Sequence, residues 1–306
     1  MEIRAVRVPS DLEDLDRLFR SVHEADSHWP LGEHKYLDLQ RGRSGSSVGL
    51  VGQDADGALL AYVHLAPNRE AAGWGMEMAV EPSRRTETVM GQLLDAAQER
   101  VRNARGARLS YWLHNQEPPA ALAGHGFVLD RELHQLRRPL PVDELPSIPP
   151  GFVVRGFERG ADEDAWLEVN NLAFVGHPEN GNWTQAVFED RISVGWFDPA
   201  GFRTVWHGDR MAAFNWTKVH PDGSGEIYVI AVHPDYQRMG LGRAIAVDGL
   251  IYLHDVRGCR LASLYVDSSN AGGMALYTRL GFDVDHTDRA FTWVPGAVES
   301  TGATSD

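Results

Sequence analysis

The chain has 306 residues, 43% hydrophobic and 24% charged, so it can bury ordinary cores and is not disordered by composition. With 43 acidic against 29 basic side chains, the net charge of −14 excludes broad, sequence-independent nucleic-acid binding, though backbone amides can still hold a small anion. The lone Cys259 excludes an intrachain disulfide and a four-cysteine zinc site, the N-terminus is too charged for a signal peptide, and no apolar run reaches 18 residues; a cytoplasmic protein with no membrane partner is expected.

A helix is predicted from Asp11 to His23, with Ser10 as its N-cap. Alternating, β-branched or aromatic stretches predict strands at 46–52, 59–67 and 74–80, followed by a helix at 89–104 and a strand at 108–113. A short helix and a last strand, preceded by Gly126-Phe127, close the series. It then recurs: a helix around 161–171, strands at 202–208, 211–219 and 225–232, a helix at 242–256, a strand at 261–267, then a short helix, Gly281-Phe282 and a final strand. Such an order makes an α/β fold with helices on the faces of a sheet.

The recurrence extends to residues. MAVEP at 78–82 matches IAVHP at 230–234, placing Ala79 and Ala231 152 positions apart; Gly126 and Gly281, like Asn115 and Asn270, are 155 apart. Near-constant offsets in one order predict two copies of one domain. The segment PLPVDELPSIPPG, 139–151, is rich in proline and reads as an extended linker. The expected division is a first domain over 1–140, a linker over 141–150, a second domain over 151–294 and a flexible tail over 295–306.

The most informative segment is VIAVHPDYQRMGLGRAI, 229–245. A buried strand ends near Val232, His233-Pro234 breaks it, and Gln237-Arg238-Met239-Gly240-Leu241-Gly242 leads into a helix near Arg243. Two glycines let the main chain approach a ligand, and the first helical turn directs N–H groups at an anion, so the segment suits a pyrophosphate. It lacks the third glycine of a dinucleotide fingerprint and the Gly-Lys-Ser/Thr of a Walker loop. The alternative is a tight strand–helix connection with no ligand.

This loop resembles the acetyl-CoA motif of the GNAT superfamily of N-acetyltransferases, as do Tyr265-Val266-Asp267-Ser268-Ser269-Asn270 and Ala275-Leu276-Tyr277-Thr278-Arg279-Leu280-Gly281-Phe282. The tandem arrangement, with Leu31-Gly32-Glu33-His34, Asn170-Asn171-Leu172-Ala173-Phe174, Gly176-His177-Pro178-Glu179, Trp183, Trp196-Phe197-Asp198-Pro199 and Trp216-Thr217-Lys218-Val219, is similar to the mycothiol synthase family over about residues 1–294. The resemblance implies two tandem GNAT domains, each a mixed, mostly antiparallel sheet flanked by helices. It implies acetyl transfer from acetyl-CoA to the cysteinyl amine of desacetylmycothiol, a small-molecule acceptor. Carried over residue by residue, it puts the cofactor against Ile230, Ala231, Val232, Gln237, Arg238, Met239, Gly240, Leu241, Gly242, Arg243, Asn270, Ala271, Gly272, Gly273, Met274 and Ala275. It puts the acceptor against Glu33, Glu179, Lys218, Glu226 and Tyr265, and the base and acid at Glu226 and Tyr277.

The chemistry agrees with these types. A carboxylate such as Glu226 can take the proton of an attacking amine, and a phenol such as Tyr277 can protonate a leaving thiolate. Each also has a plain reading, as a strand-end surface Glu and a core Tyr. Asn170, Asn171 and Asn215 are further polar candidates with equally good turn or cap roles. Cys259 has no paired base nearby and reads as structural, so direct attack in a ternary complex is expected. No histidine pair with a supporting carboxylate is evident, so no metal is expected. In the first copy, PSRRTETVM at 82–90 replaces the glycines with Thr88, Val89 and Met90, adds Glu87, and leaves Arg84 and Arg85 as phosphate partners. The first domain is therefore expected to be degenerate and non-catalytic, binding acetyl-CoA weakly or not at all. The protein is expected to be a monomer. The rivals are another amine N-acetyltransferase of the superfamily, acting on an aminoglycoside or peptide, and a non-catalytic acyl-CoA sensor.

Overall fold

The structure, a computed structural model, describes residues 1–26, 28–40, 47–68, 73–114, 116–176 and 181–296. Its contacts divide the chain into two compact units, Met1–Glu132 with the segment from Asp288 onward, and Leu133–Thr287.

The first unit contains β1 (Glu2–Ala5), α1 (Leu12–Asp26), α2 (Glu33–Gln40), β2 (Val48–Gln53), β3 (Leu59–Asn68), β4 (Gly73–Val80), α3 (Glu87–Asn103), β5 (Leu109–Leu113) and α4 (Ala121–Gly124). Strands β1 to β5 pair in chain order, antiparallel except for β4 with β5. Helix α1 buries Leu15, Leu18, Phe19 and Val22, a single helical stripe, with Val51, Tyr62 and Ala79. The alternate residues Ala61, Val63 and Leu65 turn to the other face and pack with Leu93, Leu94, Ala97 and Val101 of α3.

The second unit repeats the plan with β7 (Phe152–Gly156), α5 (Glu163–Ala173), α6 (Gln185–Ile192), β8 (Phe202–His207), β9 (Arg210–Val219), β10 (Gly225–Val232), α7 (Leu241–Ile251), β11 (Leu261–Asp267) and α8 (Ala271–Arg279). Its strands β7 to β11 pair in order, and only β10 and β11 are parallel. An aromatic nest of Trp166, Phe188, Phe202, Phe214 and Trp216 fills one face. The other side packs Leu250, Leu253, Leu264 and Phe282.

The closing strands change places. In β6 (Val128–Pro139), residues Leu133–Pro139 pair with β11 in the second unit, whereas in β12 (Asp283–Trp293), residues Arg289–Trp293 pair with β5 in the first. Segment 133–140, which the repeat alignment assigns to the first domain, thus lies with the second unit.

The duplication carries a device that the short sequence matches do not reveal. Arg4 donates twice to Asp11 at 2.8 and 2.9 Å, and Asp11 Oδ2 accepts the Arg7 N–H at 2.7 Å. In the second unit Arg155 donates twice to Asp162 at 2.6 and 2.7 Å, and Asp162 Oδ2 accepts the Glu158 N–H at 2.7 Å. Both aspartates are buried, and each clamp ties the first strand of its repeat to the following helix. The guanidinium of Arg4 holds the Asp11 carboxyl below the usual carboxylate range.

Most predicted elements form within a residue or two of their expected bounds. Ser10 is not the cap of α1: the Leu15 N–H bonds the carbonyl of Asp11, so Asp11 holds that position, and the Ser10 hydroxyl turns back to the Arg7 carbonyl. The helix expected over 242–256 is α7 followed by a π-helical turn, Tyr252–Val256. Elements β1, α2, β7 and α6 were not anticipated. Strands β1 and β7 are only four and five residues long, and α6 is an eight-residue helix capped by Thr184, whose Oγ1 accepts the Val187 N–H at 3.3 Å. The expected flexible tail beyond 296 lies outside the described residues. No helix among the described residues is long and apolar enough to cross a membrane.

Candidate active site

Strand β10 pairs with β11 over three residues only, Gly225–Ile227 against Ala262–Leu264, and then leaves it. A β-bulge sits at the same place, where the register with β9 jumps between Ile227 and Val229. A bulge bends its strand, and here it coincides with the parting. Beyond it Ile230, Ala231 and Val232 pair with Asn215, Phe214 and Ala213 of β9, and their other backbone edge no longer has β11 as a partner.

The chain then turns through His233 and Pro234–Tyr236, and Arg238 adopts φ +62°. Gly240 is the N-cap of α7 with φ +83°, a left-handed conformation that glycine adopts without a Cβ penalty. No side chain caps α7, so the orphan N–H groups of its first turn, which includes Leu241, Gly242 and Arg243, have no side-chain acceptor at the cap. Such a helix start suits an anion. The Arg243 guanidinium is paired with Glu144 at 2.8 Å. At the start of α8, Asn270 Oδ1 accepts the Gly273 N–H at 2.8 Å, so Asn270 is a cap, followed by Ala271, Gly272, Met274 and Ala275 in the helix.

Register decides which acceptor candidates meet. Glu226 lies opposite Lys218 on β9 and beside Ser263 on β11, and Tyr265 follows Ser263 on the same face. Glu226 is 7% exposed, and Tyr265 is 45% exposed. The Lys218 ammonium rests 4.9 Å from the Trp196 ring centre and 5.6 Å from that of Tyr228, a cation–π seat. Glu33 is the first residue of α2 in the first unit, and its side chain lies outside what the structure describes. Glu179 lies outside the described residues.

Sequence reasoning missed His220. It opens the turn between β9 and β10, and its Nε2 lies 2.7 Å from Glu226 Oε2. The hairpin itself was the available signal: a turn of Pro-Asp-Gly-Ser brings residues on its two sides together. It missed Gln135 as well, whose Nε2 donates to the Tyr265 hydroxyl at 2.7 Å.

Tyr277 is buried on α8, edge-on to Phe282 at 5.9 Å, and burial pushes its phenol up to about 12. The asparagine candidates have structural partners. Asn171 binds the Trp183 backbone at N–H and C=O, Asn215 donates to the Ile245 carbonyl, and Asn170 donates to Asn171. Cys259 is buried, and desolvation pushes its thiol up, which disfavours a thiolate. Among the described residues, no group of three His, Cys, Asp or Glu side chains is arranged to hold a metal.

The first unit offers a contrast. Its parallel strands also part after three pairs, Trp74–Met76 with Leu109–Tyr111, and a cleft of about 650 Å³ opens there, lined by Asp26, Trp29, Glu77, Arg85 and His114 among others. The register of β4 with β3 is unbroken, with no bulge. Thr86 caps α3 and takes the Val89 N–H at 3.3 Å, and Arg85 is held by Asp26 through two bonds of 2.7 Å.

Residues 163–282 match the model of the Acetyltransferase (GNAT) family. A mycothiol acetyltransferase from Thermomonospora curvata is 43% identical over 257 residues, covering 83% of this chain and 84% of the relative. One from Acidimicrobium ferrooxidans is 40% identical over 290 residues, 90% of this chain and 92% of the relative. Among solved structures, a GCN5-related N-acetyltransferase from Sphaerobacter thermophilus superposes with a TM-score of 0.71 at 22% identity, over 98% of both chains. A tandem GNAT protein from the clavulanic acid biosynthesis pathway superposes with a TM-score of 0.68 at 16% identity, over 97% of this chain and 99% of the other. These last two likenesses concern the fold.

Proposed function

The chain belongs to the mycothiol acetyltransferase family of GNAT N-acetyltransferases, and on that premise we propose that it acetylates the cysteinyl amine of desacetylmycothiol to give mycothiol. The observation that carries this reading is the buried Glu226, held by His220 and facing Lys218 where β10 leaves β11.

Acetyl-CoA suits the residues present and supplies the acetyl thioester when bound. The free edge of Ile230–Val232 accommodates the pantetheine. The loop Gln237–Arg243 receives the pyrophosphate on its uncapped helix turn, with Asn270–Ala275 flanking the arm. Arg243 reaches a phosphate only by leaving Glu144, whereas its N–H needs no such exchange.

Glu226 takes the proton of the acceptor amine as it attacks. His220, donating from Nε2, holds one carboxylate oxygen and leaves the other for the amine. Tyr277, kept protonated by burial, gives its proton to the departing thiolate. The amine attacks directly in a ternary complex, because the thiol of Cys259 is buried and held protonated. Lys218 and Tyr265 bind the polyhydroxy acceptor. In this reading the second repeat is catalytic, the first is not, and the protein works as a cytoplasmic monomer.

The test is steady-state turnover of acetyl-CoA with desacetylmycothiol, an aminoglycoside and a peptide N-terminus as rival acceptors. Desacetylmycothiol is expected to be the best by kcat/KM, and Glu226→Gln is expected to lower kcat about 10²–10⁴-fold. A better rival acceptor replaces the substrate assignment. No turnover with any amine leaves an acyl-CoA sensor.

A further inference from the structure

Strand segment Leu133–Pro139 comes from the first repeat but pairs with β11 in the second unit, and it sets Gln135 directly opposite Tyr265. Alternation along β6 sends Leu136 into the core with Leu264 and turns Gln135 to the opposite face, that of Tyr265, Ser263 and Glu226. Gln135 is 9% exposed. Its Nε2 donates to the Tyr265 hydroxyl at 2.7 Å, while its Oε1 is buried and meets no donor among the described residues. A buried amide oxygen without a donor is unfavourable, and native folds leave few of them unless something else supplies the hydrogen.

We propose that Gln135 determines acceptor specificity: its Oε1 accepts a hydrogen from a hydroxyl of the acceptor, and its Nε2 fixes the Tyr265 phenol beside it. Gln135 lies two strands from Glu226, about 10 Å across the sheet. With the amine delivered to Glu226, only the far end of a long polyhydroxy acceptor reaches Gln135. A short amine stops before it. This inference rests on the acceptor reading above and adds to it a residue that reads the sugar–inositol portion rather than the amine.

The test compares kcat/KM of the full chain for two acceptors, cysteinyl-glucosaminyl-inositol and cysteinamide, in the parent protein, Gln135→Met and Gln135→Glu. Gln135→Met keeps the length of the side chain and removes both polar atoms. It is expected to lower kcat/KM for the long acceptor about tenfold or more, with cysteinamide turnover and the KM for acetyl-CoA within about twofold of the parent. Gln135→Glu keeps an acceptor oxygen but not the donor to Tyr265, and is expected to fall between the two. A merely structural role would lower both acceptors together, and that outcome, or no loss at all, overturns the inference. Should Gln135→Met fail to fold, Gln135→Glu carries the same comparison. A parent protein that ignores the long acceptor overturns the proposed function and this inference with it. A parent that uses it equally well as Gln135→Met overturns this inference alone.

Discussion

Tyr277 is a core side chain in the structure and the acid in the proposed reading, and the two are compatible. It is a core residue of α8, packed on Phe282, and that same burial pushes its phenol up to about 12, so it stays protonated at neutral pH. A proton donor to a thiolate needs this property. Tyr277→Phe is expected to lower kcat about tenfold or more while both KM values stay close to the parent, each substrate being varied at saturation of the other. The linkage has a definite sign. The unfolded chain loses the phenol proton near pH 10 and the folded chain near about 12, so this group's stability contribution is complete below pH 10 and is lost as pH rises through that window. Denaturant titrations between pH 9 and 12 should show a shallower decline for the Phe variant. Glu226 and Tyr277 were legible as residue types in a family pattern. His220 and Gln135 were not, because their partners lie across a hairpin and across an exchanged strand.

At the scale of elements, the turn into α7 was the most legible part of the chain. Its constraints are local: a left-handed N-cap stands at Gly240, and in the proposed reading the main chain at Gly242 approaches the pyrophosphate, so particular residues are needed in consecutive positions. The bulge of β10 left no comparable mark, since it is defined by register against β9. The two constraints can be separated at Gly242. A Cβ there would lie 3.5 Å from Val232 Cγ2, an ordinary contact, and the residue is helical. Gly242→Ala is therefore expected to leave thermal stability unchanged or slightly higher, by up to about 1 kcal/mol, while weakening acetyl-CoA binding about tenfold or more if the pyrophosphate approaches that backbone. Calorimetric titration beside a melting curve checks both halves. Unweakened binding would move the pyrophosphate away from the loop.

For the whole molecule, two units built alike carry unlike loops. The first has parted strands and a cleft, but no bulge, a helix start occupied by Thr86, and an arginine committed to Asp26. One acetyl-CoA per chain is the expected stoichiometry by calorimetry, abolished by changes in the second unit's loop and insensitive to Arg85→Ala. Two equivalent sites would show that Thr86 and Asp26 yield to the ligand. The paired Arg–Asp clamps say that the repeats share more than the few residues that align by eye.

Wherever neighbours along the chain suffice, the amino acids alone carried the answer: helical stripes, strand alternation, two copies at a near-constant offset, and a glycine turn opening a helix. These properties depend on spacing within a few residues, which any reading of the chain retains. Pairing across the sheet was another matter. That β6 and β12 leave the units of their own repeats, that β10 parts from β11 at a bulge, that Lys218 and His220 come to Glu226, and that Gln135 meets Tyr265 all follow from strand register between distant segments. Register is selected by which faces can be buried together once every strand is in place, and no single stretch of sequence contains that choice.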